Sequence, residues 1–295
     1  MSSSFPERRA EALEGPIDGA STSSIRELSI AGGVKPRRWG SWYVAEHRIL
    51  AMRAYLQTIV ATSVGNPLVY LFALGVGLAA LVPQGIPNGD ATISYLAFVA
   101  PALLATAAVT VAAEEATYPF MMGFKWNPIF FAMNAAPLSG NQITNGMYIG
   151  MLARIVPTTV IYFVVMVLFG AVPSQLGVLG IVTATLTGLA IATLVGSYSA
   201  TIEEDKGQMA MIMRFGITPM FLFSGTFFPL TQLPVYLQWI GWISPLWHGT
   251  ELGRVLAYDL AEPEWLTAVH VIVLVVLVIV GWKRTQFVVT RRLNK

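Results

Sequence analysis

Long runs of apolar positions free of Asp, Glu, Lys and Arg dominate this chain, and a membrane span needs about 20 such residues. Ala54 to Gly89 carries no formal charge, and its core predicts a first span over 59–82. Tyr95 to about Phe120 predicts a second. Ile155 to Ile202 is charge-free but too long for one helix. The break at Ala171-Val172-Pro173-Ser174-Gln175 divides it into spans three (about 147–170) and four (about 176–200). The charge-free run from Phe215 to Thr250 includes most of span five (about 209–228) and continues past Pro229 into non-spanning structure. Trp265 to Trp282 predicts span six. The expected fold is therefore an all-α membrane protein with six transmembrane helices.

Basic residues set the orientation. Of the 18 Lys and Arg, all but Arg254 precede span one, follow span six, or lie in or near the loops joining spans two to three and four to five. The positive-inside rule then places both termini in the cytoplasm. Four regions follow: a mostly disordered cytoplasmic tail (1–38), an interfacial amphipathic helix (39–56), a six-helix domain (57–284) and a basic cytoplasmic C-terminus (285–295). The interfacial helix rests on Trp39, Trp42, Ala45, Ile49, Met52 and Leu56, which recur at steps of three and four.

Composition agrees. The 295 residues are 55% apolar and only 12% charged, about half the charged share of a soluble domain. The absence of cysteine excludes disulfides and thiolate chemistry. A formal charge of +2 offers nucleic acid no electrostatic footprint.

Several local patterns stand out. The cytoplasmic loop with Phe124, Lys125, Trp126, Asn127, Pro128, Phe130 and Phe131 is aromatic, which suits docking to a protein partner or the membrane surface. Pro128 there suits the first turn of a short helix capped by Asn127. Past span five, Pro229, Pro234 and Pro245 cut an apolar stretch into short re-entrant or interfacial helices. His248, Glu251 and Arg254 recur every three residues within it and share a helical face; with Phe227, Phe228 and Pro229 they are candidates for an outer gate. Gly180, Ala184, Gly188, Ala192 and Gly196 form a small-residue ladder, either a packing seam within the chain or a dimer seam. Glu114 and Glu115 close span two and are expected to pair with Arg154, Arg214 or Arg53, as structural pairs or as a charge relay. His270 reads as a packed core histidine. Met209, Met211, Met213 and Met220 with nearby phenylalanines make an adaptable apolar surface on span five.

No catalytic or metal site can be assembled from three scattered histidines, and no G-x-x-x-x-G-K-[ST] loop is present. Leu138-Ser139-Gly140-Asn141-Gln142 mimics an ATPase signature by chance, since no other part of a nucleotide site accompanies it. An ion-coupled transporter would carry carboxylates within its spans, and here only Glu114 and Glu115 come close. A membrane transferase acting on a lipid-linked substrate would have to use those two or the His248 set.

Glu115-Ala116-Thr117-Tyr118-Pro119-Phe120, then Ala136-Pro137-Leu138, then Ser224-Gly225-Thr226-Phe227-Phe228-Pro229-Leu230 with Leu233-Pro234, Ser244-Pro245-Leu246 and Arg254 resemble ABC-2-type permeases of the nodulation-exporter (NodJ-like) group. The likeness covers about residues 40–290. The chain differs in having no acidic residue in Ser139–Thr144 and in having Met147 after Gly146. The resemblance implies the transmembrane subunit of an exporter for a lipid, glycolipid, oligosaccharide or drug. It also implies two copies of a separate ATPase subunit that binds ATP and Mg, a second permease copy, identical or related, and contact with membrane lipid. The helix at 39–56 would be the connecting helix and the aromatic loop the ATPase-coupling helix, with no cofactor in this chain.

Overall fold

The computed structural model describes residues 22–295; most of the expected disordered tail, residues 1–21, lies outside the described residues. Five helical segments among the described residues are long and apolar enough to cross a membrane: Arg37–Leu81, Tyr95–Trp126, Gly140–Leu168, Gln175–Ser199 and Glu264–Leu293. The fifth expected span is a shorter apolar helix, Gln208–Phe223.

Helix α1 (Thr22–Met52) begins well before the expected start at Trp39. Its later turns are fixed by tertiary packing, and once a helix is nucleated each further residue adds a hydrogen bond at little cost. Tyr55, at φ −129° and ψ 25°, leaves the helical region and separates α1 from α2 (Leu56–Phe72). The face of α1 that packs inward is Gly40, Val44, Ala45 and Met52, whereas Trp39 and Trp42 stay more than half exposed. Helical turns carry α2 on to Leu81. A two-stranded hairpin follows, β1 (Ile86–Asn88) against β2 (Ala91–Ile93), with Gly89 at φ +60° in its two-residue turn. This is a small exception to the all-α expectation, and Asn88-Gly89-Asp90 is its sequence signal.

Helix α3 (Tyr95–Ala116) is capped by the Ser94 hydroxyl, which accepts from the Ala97 amide at 3.1 Å. Thr117 interrupts it at φ −88°, ψ −90°, and helical turns resume to Trp126. The short α4 (Ile129–Ala135) follows. Asn127 does not cap it: Pro128 occupies the cap position with no side-chain bond, and the Asn127 amide donates to the Met122 carbonyl. Helix α5 (Gly140–Leu168) starts before the expected 147 because Ser139 and Gln142 form a reciprocal capping box. The residues that mimic an ATPase signature are thus a helix start.

Helix α6 (Gly180–Ser199) packs against α3 and α5. Gly180, Ala184, Gly188, Ala192 and Gly196 are all buried. A Cβ at Gly188 would lie 3.0 Å from the Ala108 carbonyl oxygen of α3, so the ladder is a seam within this chain. Helix α7 (Gln208–Phe223) stops short of the expected 228, and Gly225 at φ +71° follows in the turn. Helices α8 (Val235–Trp242) and α9 (Pro245–Tyr258) come next. Two glycines let α9 approach closely: Gly249 abuts Thr187 and Gly253 abuts Pro101. Helix α10 (Glu264–Leu293) runs past the expected end of span six, so most of the basic C-terminus is its last turns. Thr285, Val289 and Leu293, four apart, are buried and extend its packing face.

Candidate functional site

A cavity of about 530 Å³ lies between α2, α3, α5 and α7. Its wall is rich in hydroxyls, including Thr62, Ser63, Thr106, Thr110, Thr158 and Thr218. Most of those hydroxyl protons are committed: Thr62 donates to the Thr58 carbonyl, Thr106 to Ala102, Thr110 to Thr106, Thr158 to Arg154 and Thr218 to Met213. Ser63 and Thr158 share a hydrogen bond at 3.1 Å that ties α2 to α5. Tyr162, 1% exposed, lines the cavity with a buried hydroxyl that has no partner. The i, i+4 pairs Thr58/Thr62 and Thr106/Thr110 were the sequence signal for this polar wall.

Glu114, Arg154 and Arg214 line the cavity, and a buried charged cluster lies behind the first two. Glu115, with 4% of its side chain exposed, accepts from Arg48 and from Arg154, each at 2.5 Å. Arg154 also reaches Glu114 at 3.2 Å. The expected pairing with Arg154 is present, but those with Arg53 and Arg214 are not, and Arg48 takes their place. No sequence signal pointed to Arg48, since its contact spans 67 positions and depends on Gly150 admitting the arginine stem. Arg214 lines the same cavity without an ion pair or hydrogen bond among the described residues.

The aromatic loop divides into two sets. Phe124 and Phe130 are buried, with ring centroids 5.0 Å apart, so they belong to the core rather than to a docking surface. Lys125, Trp126, Asn127, Pro128 and Phe131 are exposed. Arg292 of α10 stacks over Phe124 at 4.0 Å and donates to the Ala200 and Ile202 carbonyls after α6. That brace was not anticipated from the sequence.

At the opposite end, Arg254 is 1% exposed. It donates to Glu251 at 2.8 Å, to the Phe98 carbonyl at 3.2 Å and to the Gly225 carbonyl at 2.7 Å, and stacks over the Phe98 ring. It thereby ties α9 to the start of α3 and to the turn after α7. Of that turn, Phe227 accepts at its carbonyl from the Tyr95 hydroxyl, Phe228 is exposed and Pro229 is half-buried. His248 turns away from the Glu251–Arg254 pair. Its Nδ1 lies 2.7 Å from His270 Nδ1 and its Nε2 3.1 Å from the Trp242 carbonyl. The carbonyl can only accept, so His248 carries its proton on Nε2 and accepts from His270 at Nδ1. His270 Nε2 then faces Glu262 at 3.5 Å. Burial, with His270 adding to it, pushes the His248 imidazole down to about 4. Burial raises Glu262, but the nearby His270 and the hydrogen bond from Thr267 outweigh it and hold the carboxyl below its usual range. His270 is a hydrogen-bonded core histidine, as expected. The described residues contain no cluster of three or more His, Asp or Glu able to hold a metal.

Apolar helices around a hydroxyl-walled cavity describe a multi-pass membrane permease. The family model for the ABC-2 type transporter matches residues 42–258, and the chain belongs to that family. It is similar to nodulation protein J of Rhizobium leguminosarum bv. viciae, 30% identical over 254 residues, covering 82% of this chain and 92% of the relative. It is also similar to nodulation protein J of Rhizobium meliloti (strain 1021), 26% identical over 264 residues, covering 86% and 94%. The chain is thus a transmembrane subunit of an ABC transporter in the bacterial plasma membrane, a class whose ATPase is a partner subunit.

Proposed function

We propose that this subunit exports an amphipathic or lipid-linked substrate, such as a lipid, glycolipid or oligosaccharide, from the inner to the outer side of the membrane. The cavity carries this reading. Its polar wall sits among spans that are otherwise apolar, and Thr58, Thr62 and Asn66 remain exposed on α2. Such residues are unfavourable against lipid tails, so a second permease copy or a polar substrate would cover them. In this reading α7 is span five and brings the number of spans to six, both termini are cytoplasmic, and α8 and α9 close the outer mouth. Two ATPase copies would dock on Lys125–Pro128 and Phe131, and their closure would bias a two-state rearrangement of the spans.

Drug efflux is the alternative within the same class. A membrane transferase is less well supported, because Glu115 is clamped between two guanidinium groups and Glu114 shares Arg154.

Purification in mild detergent from the native membrane, with mass spectrometry, tests the assembly: a nucleotide-binding protein should accompany the chain at about one copy per permease. Reconstituted into vesicles, the complex should move a labelled glycolipid outward only with ATP. Trp126→Ala should abolish substrate-stimulated hydrolysis in a folded protein. Full stimulation in that variant would overturn the docking surface, and ATP-independent modification of a lipid acceptor would overturn the exporter reading.

A further inference from the structure

The C-terminal end of α10 carries a basic face that the fold leaves uncovered. Lys283, Arg284 and Arg291 are exposed and have no carboxylate partner among the described residues. Their neighbours are spent: Arg292 donates to the Ala200 and Ile202 carbonyls, and Lys295 reaches Glu203 at 3.2 Å. After Glu264, α10 contains no acidic residue of its own. Among the three free cations stands Phe287, with 64% of its surface exposed. At 3.6 residues per turn, Lys283, Arg284, Phe287 and Arg291 occupy one sector of about 100°. Arg292 lies roughly 140° round the helix from Phe287, on the side of Phe124 and the aromatic loop. An ATPase seated on that loop would therefore leave this sector free.

The same sector continues the lipid-facing side of the span. From Val271 to Gly281 the helix has no polar side chain, and Val276 and Val280, 49% and 55% exposed, fall within the sector that the cations occupy further on. Trp282 follows, where an interfacial aromatic belongs. At 1.5 Å per residue, Lys283 to Phe287 lie within about 8 Å of Trp282 along the axis, about the thickness of one headgroup layer. Arg291 stands one turn further, and its long side chain can reach back. A lipid whose acyl chains lie on Val276 and Val280 thus presents its headgroup to three unpaired cations. Water alone would suit the cations but not Phe287; a headgroup layer suits both.

We propose that this end of α10 is a binding surface for anionic phospholipid, with phosphates on Lys283, Arg284 and Arg291 and Phe287 inserted among the headgroups. It rests on α10 crossing the membrane and is independent of what is transported or in which direction. The attraction is that of a juxtamembrane basic cluster for an anionic leaflet, sharpened by the continuous apolar stripe above it.

The test uses the full chain with its co-purified ATPase in mild detergent and two probes with the same fluorescent acyl chain, phosphatidylglycerol and phosphatidylcholine. Phosphatidylglycerol should bind about tenfold tighter, and the margin should shrink when salt is raised from about 0.05 M to about 0.5 M. Lys283→Gln, Arg284→Gln and Arg291→Gln together should erase the preference while leaving phosphatidylcholine binding unchanged. Arg284→Lys with Arg291→Lys should keep it, because the charge is retained. Equal binding of the two lipids by the wild type, or a preference that survives the triple glutamine variant, would overturn the proposal. Loss of the ATPase from the triple variant with its lipid preference intact would also overturn it, since the face would then dock protein. All three side chains are exposed, so the unfolding midpoint should not move. If the triple variant does unfold early, Lys283→Gln and Arg284→Gln singly give the second readout. Each should cost about two- to threefold in phosphatidylglycerol binding alone, and no change in either would overturn the proposal.

Discussion

Replacing Glu115 with Gln tests what holds the amphipathic helix to the bundle. In the structure Glu115 is the shared acceptor of Arg48 and Arg154, and its side chain is 4% exposed. The two arginines fare differently when the charge is removed. Arg154 keeps Glu114 at 3.2 Å, but Arg48, with only 11% of its side chain exposed, loses its sole carboxylate. Arg48 Nε is already buried without a partner, so no spare bond compensates. Breaking a buried ion pair from one side costs about 3–5 kcal/mol. Glutamine still offers one neutral acceptor, which puts Glu115→Gln near the lower end, at about 3 kcal/mol. At about 2–4 °C per kcal/mol, the midpoint should fall by about 6–12 °C. Tryptophan fluorescence during thermal unfolding in mild detergent is a direct assay, because Trp39 and Trp42 lie on the same helix as Arg48. Arg48→Met added to Glu115→Gln removes the stranded charge and should recover at least half of the loss. The reasoning is refuted if Glu115→Gln unfolds with the wild type, or if the two substitutions simply add.

Arg254→Ala should lower the unfolding midpoint at least as much, because it strands Glu251 and two carbonyls together; Arg254→Lys should not restore it, since an ammonium cannot reproduce the fork and the stacking over Phe98. Gly249→Ala should cost about 1–3 kcal/mol in the same assay, because its Cβ would collide with Thr187, whereas Gly216→Ala, with open space around it, should be neutral or stabilising. Stability should also depend on pH through His248. Its folded value of about 4 lies below the ordinary 6.5, so the unfolded chain binds the proton more readily. Stability is therefore complete above pH 6.5 and is lost as pH falls towards 4, by at most about 3 kcal/mol. His248→Gln should flatten that part of a midpoint-against-pH curve.

The sequence by itself determined the elements that local physics controls. Charge-free runs marked the apolar helices, because burying a formal charge in lipid is expensive wherever the helix sits. The break containing the proline at 173 was visible because backbone constraint is local, whereas the stop at the glycine at 225 was not read. The distribution of lysine and arginine supports an expected orientation, because it is read from loop charge and not from packing. The small-residue ladder was visible as a pattern, but which surface it met was not: only the fold set Gly188 against Ala108 of α3.

What tertiary structure alone decided is pairing. Glu115 and Arg154 were expected together, yet Arg48 entered from a helix 67 positions away and Arg214 was left unmatched, because an ion pair depends on which helices are neighbours rather than on spacing along the chain. His248 was grouped with Glu251 and Arg254 by its three-residue step, but packing of α9 on α10 turned it to His270, also 2.7 Å away across the chain. Phe124 and Phe130 were read as docking residues because exposed and buried aromatics have the same sequence signature; contact with α10 through Arg292 drew Phe124 inward. The cavity likewise needed four helices to be brought together. Its threonine pairs went unread in the sequence, because a polar face becomes a site only when other helices close around it.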